Sequence, residues 1–161
     1  METDNYKVGV IEVIGGELDL LRKRIIENHE RAGQVASGRT RASLRVELTE
    51  DGGILWGRKA FGVLETGRRA GKVPKNFSQI IMQWAEDKGI RPKNPKSFAF
   101  LVARKIAREG TRLYRQGGGE NIYSPEAQET IDNIMKKVLG IMDAEVEHIN
   151  LNFKEDEGSS I

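Results

Sequence analysis

The sequence predicts an α+β fold: a small, mostly antiparallel sheet with a long β-hairpin, packed by about four helices. Three observations predict it. Residues Leu44 to Thr49 alternate between apolar and polar and run into Asp51-Gly52, a pair that tolerates the positive φ of a tight hairpin turn. Four other stretches carry apolar residues at three- and four-residue steps, the period of a helix. Short runs near either end, Val/Ile-rich at Tyr6–Ile14 and alternating at His148–Phe153, offer further strands.

In chain order, the first strand covers Tyr6 to Ile14 and is broken by Gly15-Gly16. A helix from Glu17 to about Arg31 follows, with Leu18, Leu21, Ile25 and His29 on one face and Gly33 as its stop. The hairpin comes next. Its outgoing strand is Leu44–Thr49, and its return strand runs from Ile54 to about Leu64, with Gly57 and Gly62 marking bends or close approaches. A hairpin of that length outruns a small core, so its tip is a candidate arm towards a neighbouring subunit; a twisted hairpin is the plain reading.

Gly67 to Lys72 forms a basic, glycine-rich loop, expected to be flexible, which opens into a helix near Asn76. Phe77, Ile80, Ile81 and Trp84 share the apolar face of that helix, Trp84 reads as core, and Gly89 stops it. The stiff connector 91–95 supplies Asn94 as a cap and Pro95 as the first residue of the next helix. That helix buries Phe98, Leu101, Val102 and Ile106 and exposes Arg104, Lys105, Arg108 and Arg112. Gln116–Glu120 reads as a flexible loop. Ser124 and Pro125 then open the longest helix, striped by Ile131, Ile134, Met135, Val138, Leu139 and Met142. The expected organisation is one domain over residues 1–153 with a mobile charged tail, 154–161.

At 161 residues the chain is long enough to bury about 70% of its unfolded surface. Apolar residues make up only 38% and charged ones 31%, a balance suited to a thin core completed against neighbours. No apolar run reaches membrane-span length, so no membrane partner is expected. The absence of cysteine removes disulfides and thiol chemistry. The formal charge of +2 hides a segregation. Residues 39–115 carry 18 basic and 7 acidic side chains, net +11, against net −2 before them and net −7 after them. The positive stretch can meet the acidic end of its own chain, the next copy, or nucleic acid.

Side-chain chemistry is sparsely represented. His29 has no partner at ligand spacing and reads as structural, so neither a catalytic residue nor a metal or other cofactor is expected. The loop Gly67–Lys72 fails as a nucleotide-phosphate loop: three residues rather than four separate its glycines, and Val73 stands where a hydroxyl should hold magnesium.

Three stretches together resemble the tail-completion or head–tail joining proteins of tailed bacteriophages, also called neck or minor tail proteins. Ser37-Gly38-Arg39-Thr40-Arg41-Ala42-Ser43-Leu44 follows a helix as the family's Gly-Arg element does, with Thr40 where an apolar residue is usual. Ala60-Phe61-Gly62-Val63-Leu64-Glu65-Thr66-Gly67 resembles the family's strand end, although its aromatic residue follows the alanine instead of preceding it. Lys72-Val73-Pro74, Ile80-Ile81, Gln83-Trp84, Lys88-Gly89-Ile90, 100–106 and Glu109-Gly110-Thr111 complete the order, over about residues 25–115.

The resemblance implies a non-enzymatic virion protein, made in the host cytoplasm and built into a homo-oligomeric ring at the portal–tail junction. Its partners would be portal, connector or tail proteins, with the genomic DNA passing through the channel. The motif residues Gly38, Arg39, Ser43, Glu65 and Gly67 would be structural, while Arg58, Lys59, Arg68, Arg69 and Lys72 are candidate channel or partner contacts. A conduit must release DNA as well as hold it, so most of the positive charge is expected at subunit boundaries, with Arg68, Arg69 and Lys72 as lumen candidates. The competing reading is a small basic nucleic-acid-binding module that adds Arg104, Lys105 and Arg108 to those five.

Overall fold

A single helix opens the chain. In the computed structural model, which describes residues 3–156 and the side chains of 6–147, α1 runs unbroken over Thr3–Arg31. The remaining elements are α2 (Arg39–Ala42), β1 (Arg45–Thr49), β2 (Gly52–Trp56), a 3-10 turn (Lys59–Val63), α3 (Phe77–Asp87), α4 (Pro95–Glu109), α5 (Arg112–Arg115) and α6 (Ser124–Asp156). The fold is α+β: four long helices, shorter helical turns and a two-stranded antiparallel hairpin. The chain forms two compact units, one of residues 1–24, 45–56 and 125–161, the other of residues 25–44 and 57–124.

In the first unit, the expected strand Tyr6–Ile14 is helix, and Gly15-Gly16 does not break it. Valine and isoleucine lower helix propensity only weakly, and burial of an amphipathic face outweighs that. Ile11 and Ile14 extend the step of Leu18, Leu21, Ile25 and His29 backwards, so one stripe continues through the glycines.

The hairpin packs on this stripe, as the close approaches at two glycines show. A Cβ on Gly53 would lie 2.5 Å from Leu18 Cδ1 and 2.9 Å from Ile14 Cγ2, and one on Gly15 would lie 3.0 Å from Leu48 Cδ1. Register pairs Val46 with Leu55 and Leu48 with Gly53 on this face, and Arg45 with Trp56 on the other. On that open face Trp56 Nε1 donates to Glu47 at 2.5 Å, and the Arg45 guanidinium lies over the indole. The return strand ends at Trp56 instead of reaching Leu64, so the expected long arm is absent: Gly57 turns the chain against Leu44, and residues 59–63 coil.

Helix α6 joins this unit by polar pins. Lys137 donates to the buried Glu17 at 2.5 Å, and Arg24 reaches Glu126 and Glu129. The expected strand 148–153 is also replaced: the backbone there stays helical to Asp156, and the side chain of His148 lies outside the described residues. Of the expected tail 154–161, residues 154–156 belong to α6 and the rest lie outside the described residues.

The second unit centres on α3 and α4. Ile81, Ala99 and Ala103 form its buried cluster, with Phe77, Met82, Val102 and Ile106 packed around them. Alanines at 99 and 103 let the helices approach closely, which makes Ile81 and Ala85 the centre of the α3 contact. Ile80 and Trp84, expected as core, are consequently turned half out to solvent, as are Phe100 and Leu101 on α4. Asn94 caps α4 by accepting from Ser97 N at 3.0 Å, with Pro95 at the first turn, as the sequence predicts. The glycine-rich segment 116–120, expected to be loose, is a defined turn closed by Gly118 N donating to Leu113 O at 2.9 Å.

Candidate functional site

The second unit holds the polar centre of the molecule, built around Glu65. Its Oε1 accepts from three successive backbone amides, Ile122 N at 2.9 Å, Tyr123 N at 2.6 Å and Ser124 N at 2.7 Å, while Oε2 accepts from Ser124 Oγ at 2.5 Å. These donors lead into the first turn of α6, where free amides and the helix dipole favour an anion. Burial pushes the Glu65 carboxyl up, but the hydrogen bonds from Ser124 and from the amides of Tyr123 and Ile122 outweigh it and hold it below its ordinary value of 4.5. A residue 59 positions earlier in the chain therefore caps the longest helix. The sequence names Ser124 as the cap; the structure adds a carboxylate that receives its hydroxyl and its amide. The neighbouring Tyr123 ring packs on Phe61 with centroids 5.4 Å apart.

Two residues after Glu65 the backbone turns at Gly67, which has φ +71. A Cβ there would lie 2.4 Å from Tyr114 N and 2.6 Å from Thr111 Oγ1, so only glycine fits. This lets Arg68 pair with the Thr111 segment: Arg68 N donates to Thr111 Oγ1 at 2.9 Å, and Thr111 N donates to Arg68 O at 2.8 Å. Gly71 N donates to Ala107 O at 2.8 Å. The loop expected to be flexible is thus stitched to α4 and α5.

The five basic candidates separate accordingly. Arg68 is committed: Nη2 donates to Lys72 O at 2.7 Å, its guanidinium lies over the Phe77 ring, and Nε is shielded with no partner among the described residues. Arg69 and Lys72 are exposed along an open cleft of about 700 Å³ lined also by Val63, Thr66 and Tyr114. Arg58 and Lys59 are exposed at the start of the 3-10 turn, with Arg58 N donating to Ser43 Oγ at 3.0 Å.

The motif residues occupy joints. Gly38, with φ +75, precedes α2, and the Arg39 side chain holds Ser37 Oγ at 2.9 Å and reaches Asp87 at 3.7 Å. Ser43 Oγ donates to Thr40 O at 2.6 Å while accepting from Arg58 N, which fixes the entry to β1. His29 is buried, and burial, aided by the nearby Arg41 charge, lowers its pKa below 6.5; its Nδ1 has no partner among the described residues.

Among the described residues, no group of three or more His, Asp or Glu is placed to hold a metal ion, and no helix is long and apolar enough to cross a membrane. The arrangement is an exposed cationic edge, Arg69 and Lys72, on a loop hydrogen-bonded to α4 and to Thr111, with the Glu65 carboxylate satisfied from within the chain. Compared with protein-family models, curated proteins and solved structures, the chain finds no match in any of the three.

Proposed function

We propose that this chain is a structural subunit of a tailed-phage virion, one copy of a ring at the portal–neck–tail junction that joins head to tail around the DNA channel. The observation that carries the reading is uncovered apolar surface: Ile131, Met135, Leu139, Met142 and Val146 all lie exposed along α6, between 48% and 59% accessible. A chain that leaves a five-residue apolar stripe on solvent is one whose burial is completed by neighbours. The places of the motif residues support the reading further, since Gly38, Ser43, Glu65 and Gly67 set the joints of a rigid scaffold.

Removing the gene from the phage tests the proposal directly. The expected outcome is filled heads and separate tails under the electron microscope, with the chain found by mass spectrometry in intact wild-type particles. Particles that lack the chain, or that assemble normally without it, end the proposal.

A specific observation keeps a second reading in play: Arg58, Lys59, Arg69 and Lys72 are all exposed. A nucleic-acid-binding module would use them against phosphates and would bind duplex DNA alone, with affinity falling steeply as salt rises.

A further inference from the structure

The exposed stripe on α6 has a matching face on the same chain. At about 100° per residue, Ile131, Met135, Leu139, Met142 and Val146 fall within an arc of roughly 80°. The arc is edged by the exposed Asp132 and Asp143, and residues 129–147 carry 5 acidic and 2 basic side chains, net −3. Helix α4 presents the converse. Phe100 and Leu101 are exposed at 56% and 62%, interleaved with the exposed Arg104, Lys105 and Arg108. Residues 95–109 carry 4 basic and 1 acidic side chain, net +3. The α4 face, roughly 12 Å over 100–108, fits within the roughly 22 Å of the α6 stripe over 131–146.

We propose that the α4 face of one copy docks on the α6 stripe of a second copy, so that copies join head to tail. Both faces are exposed among the described residues. Pairing α6 with α6 would set two acidic edges together, and pairing α4 with α4 two basic ones; only the mixed pair buries apolar surface while cancelling charge. The two compact units repeat the match at larger scale. The unit holding α4 carries 18 basic and 7 acidic residues, net +11, and the unit holding α6 carries 8 and 17, net −9. A heterologous contact of this kind leaves one free face at each end and closes only as a ring. The inference rests on the ring-subunit reading and names its mating surfaces.

Two variants at exposed positions test it, Leu101→Glu on α4 and Leu139→Lys on α6. In sedimentation, the wild-type chain is expected to form species larger than its 18.0 kDa monomer as concentration rises. Each variant alone is expected to stay monomeric with unchanged circular dichroism. An equimolar mixture is expected to stop at dimers, because each variant keeps the one face the other lacks. Arg104→Asp is expected to weaken association about tenfold, and Asp143→Arg added to the same chain to restore it.

A wild-type chain that is monomeric at every concentration overturns the inference, as does a variant that assembles like wild type. Loss of assembly in Leu139→Lys alone, with Leu101→Glu unaffected, overturns it in favour of an α6–α6 contact. Finding the chain in particles while these variants assemble normally sinks the surfaces and spares the ring reading. Head-to-tail pairing by a chain absent from particles does the reverse.

Discussion

Glu65 shows how much one side chain can govern. Removing it by Glu65→Ala would leave three amides and a hydroxyl facing a buried void. The expected loss is about 3 kcal/mol in urea unfolding, since unsatisfied buried donors cost more than the bonds they replace return. Acid should act on the same point. The folded carboxyl sits below 4.5, so its contribution is complete above that pH and disappears as pH falls through the folded value. His29 has the same sign for a different reason. Burial first, then the Arg41 charge, depresses its pKa below 6.5, so protonation favours unfolding as pH drops under that value. Urea midpoints at pH 7.5, 5.5 and 4 should therefore fall in two stages, with His29→Leu flattening the upper stage and Glu65→Gln the lower. Glu65 was singled out in the sequence only through a resemblance. Its partners were not, because no local signal connects position 65 to the amides of 122–124.

At the scale of elements, α1 and the hairpin depend on glycines in opposite ways. Gly53 sits where a methyl group would collide with Leu18 and Ile14, so Gly53→Ala should cost about 1–3 kcal/mol. Gly16 lies inside α1 with nothing within 4 Å of its would-be Cβ, so Gly16→Ala should stabilise by about 0.5–1 kcal/mol. Thermal unfolding of the two variants beside wild type checks both signs. The adjacent pair Gly15-Gly16 looks like punctuation in the sequence, yet one of the two marks a contact. Gly15 lies against Leu48, a hairpin residue more than thirty positions away, and no propensity scale registers that. The helical step running back to Ile11 was the better guide.

For the whole molecule, the sequence puts positive charge in the middle of the chain, whereas folding sorts charge into two compact units, net +11 and net −9. The acidic hairpin residues Glu47, Glu50 and Asp51 leave the basic middle and join the acidic unit. Arg69 and Lys72 are exposed and offer no side chain to an ion pair among the described residues, so Arg69→Ser with Lys72→Ser should leave stability unchanged. Under the ring reading, self-association should also be untouched. If the chain instead binds duplex DNA through this loop, the double change should lower the slope of log affinity against log salt by about 2. Filter binding from low to high salt reads that slope.

The sequence by itself determined the α+β class, a hairpin near residue 51, the Asn94-Pro95 start of α4 and the apolar stripes, because alternation, capping and helical period act over a few neighbouring residues. The turn itself is Glu50-Asp51 without positive φ, not the expected Asp51-Gly52, since Gly52 already pairs with Thr49. Only the tertiary structure decided which side of each stripe is covered. Ala99 and Ala103 drew α3 in through Ile81 and left Trp84 half exposed, and α6 kept Ile131, Met135 and Leu139 uncovered. Helical period fixes which residues share a face. What that face meets depends on where distant segments pack, and those distances are set by contacts such as Glu65 with Ser124.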